Sequence, residues 1–160
     1  MMSTYLTFSI SISVISWIVG MAVNAILRKT EFYEKKLSNL NFVENKKLNK
    51  IIGIGIFKWI VKNTFFKFFN QKLKLKKKIK ENDLNKLRSE MTISEIDHLI
   101  GFVFVSIFAL AKFYNFNFLF GFTIMIVNVL MNLYPSLLQQ ENKRRINKLI
   151  NKTVINKVFA

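Results

Sequence analysis

The chain alternates between long apolar runs and dense basic stretches, and this pattern sets its elements. Residues 1 to 27 contain no charged side chain. Within them Tyr5 to Leu27 is long enough to span a bilayer, since about 20 residues rising 1.5 Å each cross the hydrocarbon core. A secretory signal peptide would start with a basic residue and have a shorter apolar core. Here the first cations, Arg28 and Lys29, follow the apolar run. The pattern predicts a retained helix over 5–27. Its Ser and Thr content makes it less apolar than an ideal span, and cleavage is the alternative.

Residues 28 to 98 are the opposite, with 18 of the 25 Lys and Arg and eight of the nine acids. Lys72 to Lys80, KLKLKKKIK, interleaves cations with Leu and Ile. Ile51 to Phe69 is apolar except for Lys58, Lys62, Lys67 and two small polar residues. Lys58 and Lys62 are four apart and share a helix face. Three cations argue against a span and predict a helix in the headgroup plane, with Trp59 and the Phe residues dipping in and the lysines toward phosphates. A re-entrant or buried helix is the alternative.

From Leu99 to Gln140 the only charge is Lys112. That run is too long for one helix of ordinary tilt. FYNFNF, Phe113 to Phe118, carries two asparagines among aromatics, as an interfacial turn does. Two spans are predicted, over about 95–112 and 117–138, with Pro135 near the end of the second, where a kink is tolerated. In the polar tail, 139–160, Ile146, Leu149, Ile150 and Val154 repeat at three and four. This predicts an amphipathic helix on the membrane surface. Of the 25 cations, 24 lie in 28–98 or after 140. Three spans put both regions on one side, which the positive-inside rule makes cytoplasmic. The N-terminus and the Phe113 to Phe118 turn then face out.

Composition agrees. With 160 residues there is room for one domain. The chain is 51% hydrophobic with 17 Phe and a net charge of +16, a pairing no soluble domain sustains unless the two are segregated. The fold class read from this is all-α: an integral membrane protein of about three transmembrane helices, an interfacial amphipathic helix and a basic cytoplasmic region over 28–94. Localisation is expected in the cell membrane, multi-pass. No cysteine means no disulfide framework and no thiolate site. With one histidine besides, a structural zinc site is excluded on ligand number.

That histidine, His98, lies in SEIDHLIG, Ser94 to Gly101, at the mouth of the second span and beside Glu95 and Asp97. Residues three apart share a helix face. The Glu95 carboxylate is thus placed to hold one ring nitrogen of His98 while the other acts as a base on a hydroxyl. An interfacial histidine that hydrogen-bonds to headgroups fits the spacing too. One Glu-x-x-His is too little for a di-iron site, which takes two such motifs and two more acids. In the last span Asn128 and Asn132 are four apart, and Tyr134 and Gln139 follow. Such residues face protein or cavity, as site groups or as interhelical hydrogen bonds worth about 1 kcal/mol or less. The basic load suits anionic headgroups of membrane lipids, at about 1 kcal/mol per cation near the surface. No nucleic-acid motif is present. Nor is there a Gly-rich phosphate loop, a Gly-x-Ser-x-Gly or a His-x-x-x-x-Asp.

Two stretches carry a resemblance. SEIDHL, Ser94 to Leu99, resembles the Ala-Glu-Leu-x-His-Trp element of the glycosyl-4,4'-diaponeurosporenoate acyltransferase family. NLYPSLLQQENKRRI, Asn132 to Ile146, resembles its Asn-x-Tyr-Pro-x-x-Leu-Gln-Arg-Tyr-Asn-Arg-x-Arg-Leu. Glu95, His98, Asn132, Tyr134, Pro135, Gln139, Asn142 and Arg145 match, and Lys143 replaces an arginine. Leu99, Gln140 and Glu141 depart, standing where tryptophan, arginine and tyrosine are usual.

The resemblance implies a membrane acyltransferase. It would move a fatty acyl group to the sugar hydroxyl of a glycosylated carotenoid acid, toward a pigment such as staphyloxanthin. His98 would be the catalytic base and Glu95 its orienting partner. Asn132, Gln139, Asn142 and Arg145 would bind substrate, with Arg145 an anion clamp. No metal and no cofactor are implied beyond an acyl donor such as an acyl thioester. The three departures leave room for a different glycolipid or isoprenoid acceptor. A non-enzymatic scaffold holding anionic lipids through Lys72 to Lys80 is the rival reading.

Overall fold

The computed structural model describes residues 1–40, 53–63 and 81–158. The Lys72 to Lys80 cluster and the flanks of the Ile51 to Phe69 segment lie outside them. The described residues are helical and contain no strand. In order they form α1 (Met2–Leu27), α2 (Glu31–Lys35), a short 3-10 turn (Leu37–Asn39), α3 (Ile54–Asn63), α4 (Glu81–Tyr114), α5 (Phe118–Asn128), a π-helical segment (Val129–Leu133) and α6 (Tyr134–Val158). Three helices are long and apolar enough to cross a membrane: Met2–Leu27, Asp83–Tyr114 and Phe118–Asn151. The second begins well before Glu95, and the third runs without a break into the basic tail.

Two compact units divide the chain: Met1–Leu40 with Ile93–Ser136, and Asn41–Thr92 with Leu137–Ala160. In the first unit polarity is inverted relative to a water-soluble protein. The buried face of α1 is Ser9, Ile12, Ser13, Ser16, Gly20 and Asn24. Leu6, Ile10, Val14, Ile18 and Met21 point outward. Lipid accepts such an apolar exterior, and small inward residues let helices approach. The serines satisfy their hydroxyls inside the helix: Ser9 Oγ donates to Tyr5 O at 2.7 Å, Ser13 Oγ to Ser9 O at 2.8 Å and Ser16 Oγ to Ser13 O at 2.6 Å. The same inversion holds further along. Val103, Ile107, Leu110, Phe122, Ile126 and Leu130 are exposed, whereas Thr123, Asn128 and Asn132 are buried.

Close approach is decided at two glycines. A Cβ on Gly20 would drive into the Asp97 backbone carbonyl, so only glycine lets α1 meet α4 there. One on Gly101 would stand 3.0 Å from both Asn132 Oδ1 and Ser16 Oγ. Apolar packing surrounds Ile12, Val105, Ala109 and Ile124, with Phe104, Phe108 and Phe120 against them. Tyr5 stacks on Phe120 with centroids 4.2 Å apart. Lys112 Nζ lies 5.0 Å from the centroid of the Phe120 ring, a cation–π contact that lodges the charge of this run. The turn between α4 and α5 places Phe116 at φ 56°, left-handed backbone that bulky residues rarely adopt. The Asn117 side chain then caps α5, accepting from Phe120 N at 3.4 Å.

Pro135 stands two residues beyond the π-helical segment. Pro135 has no N–H, so the α-helical bond from residue 135 to Met131 O cannot form. The Trp17 indole N–H of α1 donates to Met131 O instead, at 3.3 Å.

In the second unit the tail stripe read as membrane-facing turns inward. Ile146 is fully buried with Leu84 and Met91, and Leu87, Leu149 and Ile150 pack around them. Arg88 Nε donates to Asn147 Oδ1 at 2.8 Å. On α3, Ile56 and Trp59 are exposed, but Lys58 does not reach outward to phosphates. It pairs with Glu141 Oε1 at 3.5 Å.

Candidate active site

His98 is half-buried in the first unit, among side chains of all three long helices. From α1, the Trp17 ring meets it edge-on, with centroids 6.2 Å apart and planes at 89°. From the π-helical segment, Asn132 is the polar side chain that neighbours it. Nδ1 of His98 is buried and has no hydrogen-bond partner among the described residues. Asn132 stands across the interface from the ring, and Glu95 lies one turn away on the same helix. Glu95 is fully buried.

Asn132 is itself anchored. Its Nδ2 lies 3.1 Å from Ser16 Oγ and 2.9 Å from Asn128 Oδ1. Asn128 Nδ2 donates to Phe102 O at 2.9 Å and to Ser106 Oγ at 3.2 Å. Two amides four apart on one helix therefore tie α1, α4 and the last span together at the level of the histidine. The π turn, a feature frequent at functional sites, positions Asn132 within it.

A second polar group stands where α1 ends. Asn24 Nδ2 donates to Asp97 Oδ1 at 2.6 Å and to Ile93 O at 3.1 Å. Its own Oδ1 is buried without a partner among the described residues. Tyr33 is 8% exposed and its hydroxyl also lacks a partner. Thr30 caps α2 by accepting from Tyr33 N at 3.3 Å, which fixes the start of that short helix. Burial raises the Tyr33 phenol above the ordinary tyrosine range; Arg28 opposes this, while Asp97 and Glu95 add to it. The phenol therefore remains a donor at neutral pH.

Of the residues singled out from sequence, the first unit holds Glu95, His98 and Asn132, and His98 and Asn132 are in contact. Gln139, Asn142 and Arg145 belong to the second unit. Arg145 is exposed and pairs with Glu141 Oε1 at 2.8 Å, the oxygen that also takes Lys58. Glu141, a departure from the family pattern, thus occupies the residue expected to clamp anions. Gln140, a second departure, is fully buried. Trp17, Asn24 and Tyr33 were not picked out by sequence reasoning. The signal for α1 was present, since Ser9, Ser13, Ser16, Gly20 and Asn24 recur at four and three. Among the described residues no group of three His, Cys, Asp or Glu is placed to hold a metal.

The chemistry of this arrangement is that of a base. The imidazole neighbours an amide and an indole, and one ring nitrogen is left open to a proton. The sequence profile described as glycosyl-4,4'-diaponeurosporenoate acyltransferase matches residues 29–152. No curated protein and no solved structure matches the chain. The profile covers well over half of the sequence, and the chain belongs to that family. It is an acyltransferase of carotenoid biosynthesis with membrane-spanning helices, and the family's activity takes a glycosylated carotenoid acceptor and an acyl donor.

Proposed function

We propose that this member of the glycosyl-4,4'-diaponeurosporenoate acyltransferase family moves a fatty acyl group onto a sugar hydroxyl of a glycosylated carotenoid acid, with His98 as general base. The observation that supports the role of His98 is its buried Nδ1, unpartnered among the described residues, on a ring that neighbours Asn132 and Trp17. Nδ1 takes the proton of the sugar hydroxyl as that oxygen attacks the carbonyl carbon of an acyl thioester. The C–O bond forms and the carbonyl electrons move onto oxygen. Collapse of the tetrahedral intermediate breaks the C–S bond, and the imidazolium returns its proton to the leaving thiolate. Glu95, fully buried one turn away on the same helix, is the proposed orienting partner. No cofactor takes part besides the acyl donor.

Gln139, Asn142 and Arg145 are proposed to bind polar headgroups, with Arg145 exchanging Glu141 for a substrate anion. The Phe-rich exterior of the spans suits polyene and acyl chains. The clustering of 24 of 25 cations in 28–98 and after 140 supports a cell-membrane orientation with the N-terminus outside. The basic loop and the C-terminus are then cytoplasmic, near anionic lipid.

The test is a lipid extract analysed by mass spectrometry from a host that makes a glycosylated carotenoid acid. The host expresses the native chain or His98→Ala. A species heavier by one fatty acyl group with the native chain only is the expected result. Acylation by both discards His98 as the base. Acylation by neither, with both proteins confirmed in the membrane, points to another glycolipid acceptor or to a lipid-binding scaffold.

A further inference from the structure

Four buried polar atoms lack a partner among the described residues: Asn24 Oδ1, Tyr33 Oη, His98 Nδ1 and Ser136 Oγ. His98 has its role above. Asn24 and Tyr33 do not, and leaving such buried groups unpaired is costly. The chain has 17 Phe and only four Tyr, so a phenylalanine at position 33 would fill the same space with nothing left unpaired. Asn24 already spends its two donor bonds on Ile93 O and Asp97 Oδ1. What it leaves open is an acceptor. Tyr33 leaves open a donor, and Asp97, within electrostatic range of it, adds a carboxylate that takes the Asn24 amide and also feels Arg28. Gly20 against the Asp97 backbone lets α1 come close enough to build this group.

We propose that Asn24, Tyr33 and Asp97 form a subsite for sugar hydroxyls at the end of α1. A sugar is the ligand class that answers this set, because each of its hydroxyls both donates and accepts. Sugar hydroxyls that donate to Asn24 Oδ1 and accept from Tyr33 Oη remove both deficits, and Asp97 offers a further acceptor. Asp97 and His98 are consecutive on α4, so the subsite and the base share one turn of that helix. The inference rests on the reading of the chain as a transferase for a glycosylated acceptor. It adds residues that no motif match assigns.

The test uses the full chain in nanodiscs with an alkyl glucoside whose alkyl chain bears a photoactivatable diazirine. The same alkyl chain without sugar reports binding through lipid contacts alone. Tyr33→Phe removes one hydroxyl and keeps the buried ring; retained helicity and unfolding midpoint confirm that the fold is intact. Tyr114→Phe, at the exposed turn, is the control. The expected result is saturable labelling by the glucoside, with half-saturation about five- to tenfold higher in Tyr33→Phe and unchanged in Tyr114→Phe. Equal labelling of the wild type and Tyr33→Phe overturns the subsite. So does equal labelling by the sugar-free chain, or no glucoside labelling. Acyl transfer is measured on the same preparations. Transfer by the wild type with Tyr33-independent labelling keeps the enzyme reading and removes the subsite. Tyr33-dependent labelling without transfer keeps the subsite and removes the proposed acceptor.

Discussion

The Trp17 indole nitrogen of the first span donates to the Met131 carbonyl of the last, 3.3 Å away, at the position where Pro135 withholds the helical N–H. One side chain thereby repairs a backbone defect in another helix. The same indole also stands edge-on to His98.

Trp17→Phe keeps an aromatic edge near His98 but removes the donor. The loss should be about 1 kcal/mol of stability, the usual worth of an interhelical hydrogen bond in a membrane protein. Unfolding in mixed micelles measures it. An unchanged midpoint would show that Met131 O needs no outside donor.

Gly20→Ala and Gly55→Ala should part company. The first sets a methyl against the Asp97 backbone and should cost about 1–3 kcal/mol, as overpacking does. At Gly55, on α3, a Cβ meets nothing within 4 Å. Alanine there should be neutral or stabilise by up to about 1 kcal/mol through helix propensity. Thermal melts of the two variants in one detergent decide the matter, and equal destabilisation would refute the packing at Gly20.

Legibility of the chain divides along these lines. The three long helices follow from apolar length, because a bilayer imposes length directly. Asn128 and Asn132 were readable as one face, being local. The serines of α1 lowered its hydrophobicity in the sequence reading, yet they are its inward face. Their spacing, at four and three, carries that information. Asn24 with Asp97, and Trp17 with Met131, join residues far apart in sequence, and no local pattern announces them. The inward turn of Ile146 is of the same kind, since an amphipathic stripe does not say whether lipid or protein covers it.

Glu141→Gln should strengthen binding to anionic vesicles. The substitution releases Lys58 and Arg145 from a shared carboxylate oxygen. About a two- to fivefold gain in partitioning is expected, within the contribution of one cation near a charged surface and reduced by salt. Sedimentation of proteoliposomes against labelled anionic vesicles measures it. No gain at low salt would mean that these cations face no lipid.

Tyr33 should make stability fall in alkali. Burial raises the phenol's pKa, so the folded chain holds that proton more tightly than the unfolded one. The stability this contributes is complete below the unfolded value of about 10. It is lost as pH climbs from there through the folded value. The unfolding midpoint of the wild type minus that of Tyr33→Phe, followed from about pH 8 to 11, isolates the effect from the lysines. The difference should move against the wild type above about pH 10, and a flat line would contradict the burial.

The inverted polarity of the first unit reverses the usual map of mutational tolerance. In a water-soluble protein the greasy positions are the intolerant ones. Here the residues that meet lipid, such as Leu6, Ile18, Ile107 and Ile126, should exchange freely among Leu, Ile, Val and Phe. Intolerance should concentrate at Ser13, Ser16, Gly20, Asn24, Gly101, Asn128 and Asn132, the small and polar positions an ordinary scan passes over. A library that randomises this chain would therefore find its core by looking for its most hydrophilic letters.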